Sequence, residues 1–232
     1  MITVGDVMNM RAFDSIWLAT PCDGAAAREV TGVGTLDHEP FTGGYEVFTQ
    51  GEFVFTTLGF AGVHPDLAEE ALLALIDCGV AAVAVKPVVL KELPPTVVQA
   101  SAARGVPVFF YEGRYMERVI ADLMNLLDDD AAEWERNHLI DLILAPSDEH
   151  AVRSTFFTIA GVTGATIQCL AIRPVTDDGA SLRALQKVVE GVLADYGERW
   201  DDVERTFVCR YREMLLGFVS FKRPPLKAIA IS

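Results

Sequence analysis

Three segments decide how this chain folds: Gly51-Glu52-Phe53-Val54-Phe55-Thr56-Thr57, Ala81-Ala82-Val83-Ala84-Val85-Lys86 and Val106-Pro107-Val108-Phe109-Phe110-Tyr111. Each is apolar almost end to end and lacks the alternation of a strand that faces water on one side. That pattern predicts strands covered on both faces, as in a parallel sheet between two helical layers. The segments between them read as helices. In the first, Asp66 and Glu69 have the spacing of a capping box. Leu67, Ala71, Ala74, Leu75 and Cys78 share one of its faces, and Gly79 stops it in a left-handed turn. The second helix follows Pro94 and Pro95 and stops at Gly105.

A sheet of this kind takes small molecules at the carboxyl ends of its strands. Thr56, Thr57, Lys86 and Glu112 emerge there and form the predicted ligand-binding set; the alternative is that the threonines finish a strand and Lys86 simply reaches solvent. The hydroxyls both donate and accept, Lys86 pairs with an anion, and Glu112 accepts from an amine or amide. The set suits a purine-like or carboxylated metabolite in a largely apolar pocket. Gly59 and Gly62 read as a plain loop needing positive φ. Their surroundings match neither the P-loop nor the dinucleotide fingerprint.

Outward from this core, Thr3 reads as the cap of a short helix with Asp6 in its first turn. Residues 15–19 and 29–36 read as strands, and 37–44 as a loop. A third helix begins near Tyr115 and carries Met116, Val119, Ile120, Leu123, Met124 and Leu127 at helical spacing. Asp128-Asp129-Asp130 marks a composition shift. Helical pattern resumes through Trp134, Leu139, Ile140, Leu142 and Ile143 until Pro146 stops it. The domains are therefore predicted as 1–127, a helical connection 128–148, and 149–232. In the last of these, a helix over 149–160 precedes a strand over 166–173. A helix over 181–196 follows, with Leu182, Leu185, Val188, Val189 and Val192 as its apolar stripe. Strands 205–211 and 215–222 are close enough to form a hairpin, and 228–231 reads as a further strand. The fold class is α/β: a three-layer, mostly parallel sheet domain followed by a smaller α/β domain.

Composition bounds the function. The chain has 232 residues, 51% of them hydrophobic and 22% charged, with a formal net charge of -14 and a pI near 4.6. A buried core is within reach, and the acidic balance opposes a nucleic-acid surface. Cys22, Cys78, Cys169 and Cys209 are far apart and form no Cys-x-x-Cys pair, which predicts reduced thiols and a cytoplasmic protein. No signal peptide or membrane span is evident. His38, His64, His138 and His150 are isolated, so no metal and no cofactor is expected.

Several motifs in order carry a resemblance: Ile2-Thr3-Val4-Gly5-Asp6-Val7, Gly51 through Thr57, Gly79-Val80 running into Ala81 through Lys86, and Gly105-Val106-Pro107-Val108. Over residues 1–127 the chain resembles the amino-terminal domain of the PucR-type (purine catabolism regulator) family of bacterial transcription regulators. The second half more weakly resembles the GGDEF-like middle domain that often follows in that family. The resemblance implies a small-molecule effector and a role in transcription regulation. The family's plan ends in a helix-turn-helix domain, and this sequence stops inside or just after the middle domain. DNA binding is accordingly expected only through such a missing C-terminal domain.

Nucleotide cyclase activity is not expected. An active GGDEF hairpin is glycine-rich and acidic, whereas this one reads Tyr211-Arg212-Glu213-Met214-Leu215. The preceding strand ends at Ile172-Arg173-Pro174, a cation where a metal-binding carboxylate is needed. Met116, Val119, Leu123, Leu127, Trp134 and Leu142 offer either a candidate homodimer seam or domain-to-domain packing within one chain. The rival readings are an enzyme acting on a small nitrogenous substrate and a ligand-free dimerisation module.

Overall fold

The computed structural model describes residues 1–113, 115–145, 148–173 and 179–223, without the side chains of 179–181, 183 and 184. The predicted strand at 228–231 and the stop at Pro146 lie outside the described residues. The chain divides into two compact units, Met1–Ala131 and Ala132–Ser232.

The first unit opens with a two-residue strand, Ile2–Thr3 (β1), and a short helix, Val4–Met8 (α1). Thr3 caps that helix in a complete capping box with Asp6. Strands Phe13–Leu18 (β2), Glu29–Val30 (β3), Gly32–Thr35 (β4) and Glu52–Thr56 (β5) follow. Next come helix Asp66–Cys78 (α2), strand Ala82–Val85 (β6), helix Pro95–Arg104 (α3), strand Val108–Gly113 (β7) and helix Met116–Leu144 (α4). The main sheet has the order β2-β7-β6-β5-β4. β4, β5, β6 and β7 are mutually parallel, and β2 closes the β7 edge antiparallel.

The three apolar segments are covered on both faces, as their composition demands. Val54, Val83, Val85, Val108 and Phe110 share a core with Leu72, Leu75 and Ile76 of α2 and Val97 of α3. Phe53, Phe55, Ala82, Ala84, Phe109 and Tyr111 face the other way, toward Val4 and Val7 of α1 and Val119 and Leu123 of α4. Successive strand residues point to opposite sides, so one continuous apolar run serves both layers.

Several local expectations are corrected. Residues 29–36 are not one strand. Thr31 breaks them, its N–H bonded to the Gly51 carbonyl at 2.9 Å. β3 then pairs with β1 in a separate ribbon, while β4 enters the main sheet. The Asp66–Glu69 capping box is not formed. Pro65 occupies the cap position, and backbone bonds from Leu67 to His64 and from Ala68 to Pro65 begin the helix instead. Gly59 and Gly62 lie in a 3₁₀ turn without positive φ, and the left-handed residue is Leu58, at φ 49°. Asp128, Asp129 and Asp130 do not interrupt the chain's helicity, since α4 runs through them. Gly79 and Gly105 do end α2 and α3, at φ 74° and 66°.

In the second unit, helix Glu149–Ala160 (α5) precedes strand Thr166–Ile172 (β8), helix Gly179–Arg199 (α6) and strands Val203–Tyr211 (β9) and Met214–Phe221 (β10). β10 lies between β8 and β9 and is antiparallel to both. β8 and β9 are therefore parallel, joined through α6 with β10 inserted between them, which is a split β-α-β arrangement. α6 covers one face through Leu182, Leu185, Val189, Leu193 and Tyr196. Val188 and Val192, expected in that stripe, are 61% and 52% exposed, because the buried face continues through Leu193. Ile140 of α4 and Phe156 and Ile159 of α5 cover the other face.

Candidate functional site

The connections between the parallel strands decide where a ligand can sit. β5 passes to β6 through α2, and β6 to β7 through α3. Both helices pack on the Val54–Val83 face. After β7 the chain leaves for the opposite face, where α4 packs through Val119 and Leu123. The segments following β6 and β7 thus diverge to opposite sides of the sheet. A crevice opens at such a divergence, at the carboxyl edge. An open depression of about 620 Å³ lies there, lined among the described residues by Lys86, Gly113, Tyr115 and Arg118.

Each lining residue is placed by local chemistry. The Lys86 N–H extends the ladder to the Thr56 carbonyl at 2.8 Å, and its own carbonyl accepts from Val88 at 2.7 Å. That second bond closes a three-residue turn around Pro87 and ends the strand. The Lys86 ammonium donates to the Gly113 carbonyl at 3.4 Å, which ties the ends of β6 and β7 together. Gly113 has φ 138°, and a Cβ there would lie 2.8 Å from the Asp14 nitrogen. Only glycine fits both restraints. Tyr115 is 81% exposed, and Arg118 stands one turn further along, at the start of α4.

Of the four predicted ligand residues, the depression includes Lys86 alone. Thr56 is fully buried. Its hydroxyl donates to the Leu36 carbonyl and accepts from the Leu58 N–H, both at 3.0 Å. Those bonds hold Leu58 in its left-handed conformation and leave Thr56 turned inward. Thr57 is half-buried beyond β5. Glu112 is exposed and lies opposite Ser15 of β2, whose hydroxyl approaches its carboxylate at 3.5 Å. Sequence reasoning missed Gly113, Tyr115 and Arg118. The Tyr115–Arg118 spacing at a helix start was the available signal, and it has no weight until the direction of α4 is known.

Beside Gly113 on β7, the hydroxyl of Tyr111 is buried without a hydrogen-bond partner among the described residues. Burial, assisted by the negative charge of Glu117, pushes its pKa up to about 12.

In the second unit, the hairpin turn at Arg212 and Glu213 is docked against α4. The Arg212 N–H donates to the Asn137 side chain at 3.3 Å, and its guanidinium reaches Asp141 at 2.9 Å. Glu213, the turn's single acid, pairs with Arg173 just past β8 at 3.3 Å. Among the described residues no group of His, Cys, Asp and Glu side chains could hold a metal ion, and no helix is long and apolar enough to cross a membrane. The proposed dimer seam loses Val119 and Leu123, which are fully buried in the first unit's core. No protein-family model matches the chain, and no curated protein or solved structure matches it.

Proposed function

We propose that this chain is the ligand-sensing and dimerisation region of a PucR-type bacterial transcription regulator. It binds a small purine-related or amino-acid-like metabolite, works in the cytoplasm and performs no catalysis. Contact with DNA belongs to a separate helix-turn-helix domain of the kind that family carries. The supporting observation is the open depression where the chain diverges after β6 and β7, lined by Lys86 and Arg118. A ligand there touches the first turn of α4, the helix that also holds the Arg212 hairpin turn through Asn137 and Asp141. Binding shifts a regulator only if the ligand's affinity differs between two states. A ligand that engages Arg118 has the means to create that difference.

The hairpin supports a non-enzymatic reading. Its one acid pairs with Arg173, so among the described residues Mg²⁺ meets no pair of carboxylates at the turn. Thermal-shift measurements against purines, their ureide breakdown products and amino acids test the proposal. Stabilisation by one compound class with no turnover supports the sensor. Turnover of any compound, or a cyclic product from a nucleoside triphosphate with Mg²⁺, contradicts it.

A ligand-free dimerisation module is the second reading. Trp134, 71% exposed and stacked on His138 at 5.8 Å, favours it. No response to the whole panel, together with a dimer that Trp134→Ala dissociates, would select it.

A further inference from the structure

The depression's chemistry narrows the ligand class. The chain carries a net charge of -14. Yet among the described residues this depression is lined by an ammonium, a guanidinium, a glycine and a tyrosine, with no carboxylate. Glu112, the group suited to an amine, belongs instead to the β2 edge beside Ser15. Two cations gathered in an acidic chain make a local positive field that favours an anion. Arg118 is exposed and takes part in none of the ion pairs among the described residues, so its planar fork can take two oxygens of one group. Tyr115 presents an exposed ring to the same space, and an aromatic face stacks on a flat partner.

We infer that the depression between β6 and β7 takes a planar organic anion, its oxyanion held by Lys86 and Arg118 and its ring stacked on Tyr115. This rests on the sensor reading for the location of the site and adds the ligand's charge and shape. A carboxylate and a phosphate share the required chemistry. A cationic amine does not fit, and a neutral amide fits only weakly.

Benzoate and benzamide test the inference as a pair of near-identical shape that differ in charge. Binding is followed by amide chemical shifts of the intact chain, with inorganic phosphate as competitor. Benzoate is expected to bind at least tenfold more tightly than benzamide, and to weaken as salt rises. Phosphate is expected to displace it. Lys86→Gln and Arg118→Gln are each expected to weaken benzoate about tenfold, the scale of one charge-assisted hydrogen bond. Tyr115→Ala is expected to weaken benzoate and leave phosphate affinity unchanged. Equal binding of benzoate and benzamide, or a benzoate response indifferent to both charge variants, would overturn the anion inference. If a neutral metabolite still perturbs Gly113 and Tyr115 in that event, the sensor reading stands without it. Silence toward both probes and toward the metabolite panel overturns both.

Discussion

The Tyr211 hydroxyl donates to Asp141 Oδ1 at 2.5 Å, joining the end of β9 to the last turns of α4. The Arg212 guanidinium reaches the same oxygen at 2.9 Å, and Arg210 pairs with Glu133 two turns earlier. Three consecutive contacts along one helix thus fix the approach to the hairpin turn. The hydrogen bond from Tyr211, with the nearby charge of Arg212, holds the Asp141 carboxyl below its usual range. The same bond raises the Tyr211 phenol.

This clamp has a defined pH dependence. A carboxyl depressed in the folded state contributes stability above its unfolded pKa of about 3.9, and loses it as pH falls through the folded value. A phenol raised in the folded state contributes below about 10 and loses it as pH rises through the folded value. Tyr211→Phe is therefore expected to lower the urea midpoint most near neutral pH. The deficit should shrink as pH falls below the unfolded carboxyl value and through the lowered folded value of Asp141. A deficit that does not change with pH would show that the bond is not what stabilises the turn.

Thr56 gives a prediction that separates structure from binding. Thr56→Val keeps the shape and strands the Leu36 carbonyl and the Leu58 N–H inside the core. The expected cost is about 1–3 kcal/mol in chemical denaturation, with ligand affinity unchanged. A large loss of affinity without loss of stability would return Thr56 to the binding site.

Tyr111 gives a prediction of opposite sign. Its hydroxyl is buried and unpartnered, so the folded state bears its desolvation. Tyr111→Phe removes that polar atom and keeps the ring, which packs edge-on against Phe55 at 5.8 Å and Phe13 at 5.6 Å. Stability is expected to rise by about 1 kcal/mol or more. A fall would mean that the hydroxyl has a partner in solution.

The sheet was legible because its signal is simple. The runs around Val54, Val83 and Phe109 have no polar face, and only two-sided burial suits them. Gly79 and Gly105 were equally plain, since a left-handed helix end favours glycine. The site was legible only in part. Residue order shows which groups stand at strand ends, so Lys86 could be placed at the carboxyl end of β6. It does not show which way a chain turns after its strand. The first two crossovers stay on one face and α4 takes the other, a choice made by Val119 and Leu123 packing against Phe53 and Phe55. That choice brings Tyr115 and Arg118 beside Lys86. Thr56 was misplaced for a related reason: a threonine ending a strand reads as a rim group until Leu36 and Leu58 are seen to enclose it. The break at Thr31 depends on a backbone bond to Gly51, a distant partner that no local pattern encodes.

Amide chemical-shift mapping with a metabolite that stabilises the protein is the most direct measurement. Perturbations should concentrate at Lys86, Gly113, Tyr115 and Arg118 and should vanish in the Lys86→Gln/Arg118→Gln double variant. Perturbations gathered instead around Arg28, Gln50 and Gly79, which line a second open depression at the amino ends of the strands, or in the second unit alone, would contradict a receptor site at the divergence of β6 and β7.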